Sequence, residues 1–220
     1  MRIALRYMIF TILSVLLLMP VFVSGQTDPG SARGKSTEQT TRKPDEKNSQ
    51  SQNRNGGAEN EEISFPDIEN WQRGEIRTYD DPSLGYSVPY TSRDGSSVSV
   101  FVYNGGYGKI ADGINDKPVK DEMASIRTRL LKLGEAGLYQ GVKEVVSDTV
   151  TLGGANGNIK ALHSLFYFKL QGVEVDSDIY IFGYKNNFIK IHSTRPSAKG
   201  GAVSKNFANL LAVMDKLFSK

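Results

Sequence analysis

No cysteine occurs in the 220 residues. That absence removes disulfides, thiolate nucleophiles, iron–sulfur ligation and cysteine-based zinc sites together, and with them the lipid-modified cysteine of bacterial lipoproteins. An exported form therefore needs a core large enough to stand without crosslinks. Histidine is nearly as scarce, with two residues, and tryptophan occurs once. Neither sign of charge is in excess: 27 basic residues face 24 acidic ones, and without Arg2 and Arg6 the balance is 25 to 24. Lys and Arg are interleaved with Asp and Glu instead of being gathered on one stretch, so nucleic acid is not an expected partner.

Long apolar runs are also missing, except at the start. Arg2 and Arg6 precede the run from Tyr7 to Leu18, Pro20 ends it, and Val23-Ser24-Gly25 offers small residues for cleavage. Residues 1–25 therefore read as a secretory signal peptide, and the expected location is periplasmic or secreted. The competing reading is an uncleaved anchor, since Tyr7 to Val23 borders on spanning length. A membrane would be involved only through that segment. Residues 26–62 turn to Gln, Ser, Thr, Asn, Gly and charge, with six basic and seven acidic side chains and almost nothing apolar beyond Ala32 and Ala58. Burial in such a stretch cannot offset its ordering entropy, and a disordered polar linker is expected.

Residues 63–220 read as one domain. In Ser97–Tyr103, Val98, Val100 and Val102 share one face while Phe101 and Tyr103 share the other, so this strand is apolar on both sides and belongs inside a sheet. Gly85–Tyr90 joins it in a hairpin through Asp94-Gly95, a dipeptide suited to the positive φ of a type I′ turn, and Pro89 places that strand at or near an edge. Asp116 caps a helix whose stripe is Val119, Met123, Ile126, Leu130 and Leu133, closed by Gly134 and Gly137. Glu144–Leu152, Ile159–Leu170, Val173–Phe182 and Phe188–Thr194 add four strands, about six in all, and a two-residue loop at Gln171-Gly172 is expected to set Leu170 opposite Val173 and Lys169 opposite Glu174, whose charges suit that register. A last helix carries Val203, Phe207, Leu210, Leu211, Met214, Leu217 and Phe218. Trp71 reads as a core plug in preference to a ligand contact.

The succession of Gly85-Tyr86-Ser87-Val88-Pro89-Tyr90, the Ser-Val-Phe-Val-Tyr strand, a long helix, the Leu152-Gly153-Gly154 turn, the Ile179-to-Arg195 hairpin and a closing helix resembles the PsbP-like superfamily, in its exported bacterial branch. The resemblance spans roughly Trp71 to Phe218. It implies an α+β fold of the three-layer α/β/α sandwich type, with a central, mostly antiparallel sheet between two main helices. It also implies a non-enzymatic accessory protein that binds or helps assemble larger complexes, here with an envelope or secreted protein partner. No functional residue is carried over from it.

The chemistry on offer is thin. Asn104-Gly105-Gly106-Tyr107-Gly108-Lys109 lacks both the earlier glycine and the following hydroxyl of a phosphate loop, and G-x-G-x-x-G is absent, so no cofactor is expected. Ser164 follows His163 directly on a strand, and the two side chains therefore point to opposite faces and form no nucleophile–base pair. His163 and His192 meet only if the turn before Phe188 has three residues, pairing Tyr184 with Phe188. His163, Asp178, Tyr180 and His192 then share a face as a candidate ligand-binding cluster, a metal or small-ligand site or a weak hydrolase. With a two-residue turn the histidines part.

Overall fold

The computed structural model describes residues 63–197 and 205–220. The leader, the linker and Val203 lie outside the described residues. Eight strands form one sheet: β1 (Trp71–Arg73), β2 (Arg77–Thr78), β3 (Tyr86–Ser92), β4 (Ser97–Tyr103), β5 (Gln140–Thr151), β6 (Lys160–Leu170), β7 (Val173–Tyr184) and β8 (Asn187–Pro196). Two helices accompany them among the described residues, α1 (Lys117–Glu135) and α2 (Lys205–Phe218).

The spatial order is β1-β3-β4-β8-β7-β6-β5, with β2 also on β3 and every neighbour antiparallel. After β4 the chain crosses by way of α1 to the far edge, lays down β5, and returns strand by strand until β8 docks on β4. β4 is thus interior, and every residue from Val98 to Tyr103 is buried. Pro89 stands one strand in from the edge. Its carbonyl accepts from the Gly74 amide at 2.8 Å, so its missing N–H faces the gap between β1 and β2, where no ladder bond is lost.

Asp116 accepts from the Lys117 amide as the N-cap of α1, and Val119, Met123, Ile126 and Leu130 are buried as their spacing requires. They pack on Phe101, Phe166, Phe168, Val175, Ile179 and Ile181. α2 lies against the other face. Its Phe207 meets Tyr180, and its Phe218 meets Phe182 and Tyr184 edge-on. Asp215 sits in the apolar stripe of α2 yet is buried, because its carboxylate accepts the amides of Asn158 and Ile159 at 2.7–3.1 Å.

The three-layer α/β/α sandwich expected from the resemblance is not what forms. The described residues form an eight-stranded antiparallel sheet with two helices, α+β but dominated by strand. A helix is about 10 Å wide and strands are about 4.8 Å apart, so one helix covers two or three strands of such a sheet. α1 accordingly makes most of its contacts with β5, β6 and β7 and reaches β4 through Phe101 and Tyr103, and neither single helix makes a layer. The count of six strands also fell short. β1 and β2 hold three and two residues, too few to show any period. The Asp94-Gly95 corner differs as well: Ser92 pairs with Ser96 across a three-residue loop in which only Gly95 takes a positive φ, of 87°.

Candidate functional site

Two turns set the side-chain positions that matter. Gln171 and Gly172 adopt φ of 51° and 82°, and the two-residue loop pairs Leu170 with Val173 and Lys169 with Glu174, as read from the sequence. Lys185 and Asn186 adopt φ of 45° and 60°, again a two-residue loop, pairing Tyr184 with Asn187. The second turn is the alternative that separates the histidines. His192 falls opposite Ile179 on the α1 face, and His163 falls opposite Tyr180 on the α2 face. Of the four candidate residues, the fold gathers His163, Asp178 and Tyr180 and excludes His192.

The same register gathers three residues that the sequence reading missed. Asp148 stands opposite His163 across β5 and β6, and Arg195 stands opposite Asp176 across β7 and β8. His163 Nδ1 lies 2.8 Å from Asp148 Oδ1, and its Nε2 lies 3.1 Å from Asp178 Oδ1. Arg195 donates to the other oxygen of Asp178 from Nη2 at 2.8 Å and from Nε at 3.2 Å, and its Nη2 lies 3.7 Å from Asp176. The result is a continuous ionic chain across four strands. Asp176, Asp178 and Arg195 are buried, and only Asp148, with a side chain 49% exposed, brings the chain to solvent. Tyr180 stacks on the His163 ring at 4.6 Å, and Phe207 lies 5.6 Å from the Arg195 guanidinium.

With a carboxylate oxygen beside each ring nitrogen of His163, the geometry favours the protonated ring, in which both nitrogens donate. Burial alone would lower its pKa. The hydrogen bonds and charges of Asp178 and Asp148 outweigh that and raise it above the usual 6.5. The Tyr180 hydroxyl is pushed up by burial and by the neighbouring Asp178 charge, so it stays protonated. In that protonated form the ring has no free lone pair with which to take a proton from a nucleophile or bind a metal. Among the described residues, no group of three or more His, Asp or Glu side chains is placed to hold a metal ion. Ser164 points away to the α1 face, where its hydroxyl donates to Glu144 at 2.9 Å.

The α1 face holds a second set of buried polar groups. His192 is neutral: burial and the charge of Lys190 lower its pKa to about 3, and its Nε2 lies 2.9 Å from the Ser177 hydroxyl. Lys190 is 2% exposed, with its ammonium 4.2 Å from the ring centre of Phe101 and 5.5 Å from that of Tyr103. Burial lowers its pKa to about 7, partly opposed by Glu122. Glu122 itself is engaged by the Tyr103 hydroxyl at 2.9 Å and by Arg129 at 3.0 Å. Lys190 alternates with Ile189 and Ile191 in the sequence, and that pattern of one polar residue among apolar ones reads as an exposed position.

A cleft of about 820 Å³ lies at the other end of the sheet, lined by Trp71, Gln72, Thr91, Arg93 and Asn206 among others. None of His163, Asp178, Tyr180 and His192 borders it. Trp71 is 6% exposed and donates its indole N–H to the Asn206 carbonyl at 3.1 Å, the core role expected of it. Compared with protein-family models and with curated proteins, the chain matches none.

Proposed function

We propose that this is an exported, non-enzymatic accessory or binding protein that acts on an envelope or secreted protein partner. One observation carries the reading: the histidine best placed for chemistry has both ring nitrogens engaged by carboxylates and lies outside the cleft. An imidazolium held this way does structural work. It neutralises Asp148 and Asp178 and ties β5 to β7 through β6. The leader sequence supports export, and the order of elements supports kinship with the PsbP-like superfamily as part of the same proposal. No helix among the described residues is long and apolar enough to cross a membrane.

The test is affinity capture of the mature protein from its native envelope, scored by mass spectrometry, beside a thermal-shift titration with zinc. The proposal expects a reproducible protein partner and no zinc response. A zinc-dependent stabilisation abolished by His163→Ala, with no partner recovered, would replace it with a metal-binding role.

A further inference from the structure

The two edges of the sheet are built differently. On one side β1 and β2 are short pieces of three and two residues, broken between Arg73 and Arg77. On the other, β5 runs for twelve residues with no strand beyond it among the described residues. Its first half is protected twice over. Register shifts interrupt it between Gln140 and Lys143 and between Glu144 and Val146, and α1 crosses there, with Arg127 bonded to Glu144 at 2.6 Å. From Val146 to Thr151 the register is unbroken, and this stretch contains neither proline nor lysine. Its one charge, Asp148, is turned back onto His163.

The phase of the outer hydrogen bonds follows from one contact. The Leu152 amide donates to the Ile159 carbonyl, so residues 152, 150, 148 and 146 exchange bonds with β6. Ser147, Thr149 and Thr151 therefore direct N–H and C=O outward. We infer that the Val146–Thr151 edge pairs antiparallel with the same edge of a second copy, about a two-fold axis at Thr149, to give a homodimer with one continuous sheet.

The occupant is a second copy because the edge is self-complementary in that register. Thr149 faces Thr149 of the second copy, and Ser147 faces Thr151, a ladder of hydroxyls on one side. On the other side Asp148 faces Val150, so no like charges oppose each other. The paired stretch ends before the bulge at Glu144 and before the Gly153 turn. Each outward residue then exchanges both of its backbone bonds, as in an isologous contact.

The test is sedimentation of the chain as the cell matures it, over a concentration series. The wild-type chain is expected to show a monomer–dimer equilibrium. Thr149→Lys puts two lysines face to face at the axis and should weaken dimerisation by about tenfold or more, as should Thr149→Asp. An equimolar mixture of the two variants should regain a mixed dimer, with circular dichroism of each unchanged from wild type. A wild-type monomer at every soluble concentration would overturn the inference. So would a dimer indifferent to both substitutions, or one that mixing does not restore.

Discussion

Replacing Lys190 by methionine should make the protein more stable. The side chain is fully enclosed, no carboxylate among the described residues lies within ion-pairing distance of it, and its nearest partners are the faces of Phe101 and Tyr103. Its pKa falls from 10.5 to about 7, and at about 1.4 kcal/mol per unit this corresponds to roughly 5 kcal/mol of instability in acid, reduced to about 4 kcal/mol at pH 7, where half of the folded lysine has already released its proton. The sign follows from proton counting. Between pH 7 and 10.5 the unfolded lysine holds a proton that the folded one has released, so wild-type stability rises with pH across that window. Methionine keeps the stem's packing and loses only the ring contacts, worth about 1 kcal/mol, so Lys190→Met should gain about 2–4 kcal/mol at pH 7. In a chain of this size that raises Tm by roughly 5–10 °C. Urea titrations at pH 7, 8.5 and 10 read both the gain and its decline toward zero. A variant less stable than wild type at pH 7, or a gain that does not shrink with pH, would refute the reasoning.

Asp178→Asn removes the carboxylate that joins His163 to Arg195 and leaves two buried cations short of a partner. A loss of about 3 kcal/mol is expected in denaturant unfolding, together with a fall in the His163 pKa. His192 gives a dependence of the same sign as Lys190, at lower pH. Its folded pKa of about 3 lies below the unfolded 6.5, so the stability it contributes is whole above pH 6.5 and is lost as pH falls toward 3. His192→Gln should therefore flatten the acid limb of the stability curve, by about 2 kcal/mol at pH 5, measured against wild type by urea unfolding.

Much of the sheet was legible because its strands are long and alternate. The Val98 strand declared itself interior, and Lys169 with Glu174 gave the Gln171-Gly172 register away. What could not be read was decided by single residues. Whether Tyr184 meets Asn187 or Phe188 is a choice of one residue in one turn, and it alone sends His192 to the α1 face and brings Arg195 opposite Asp176. Asp148 was hidden by the bulge after Glu144, which shifts the β5 register by a residue and breaks any simple alternation. The layered architecture failed for a different reason. Helix periodicity reports which face of a helix is buried, but it carries no information on how many strands lie beneath it.

The central claim is that His163 is a doubly bonded imidazolium, fixed between Asp148 and Asp178 and out of use as a base or ligand. Nitrogen-15 NMR of the two histidine rings at pH 6.5, with and without zinc, tests it directly. The account predicts both His163 ring nitrogens protonated and unmoved by the metal, beside a neutral His192. A neutral His163 ring that titrates near 6.5, or one whose nitrogen shifts when zinc is added, would contradict it.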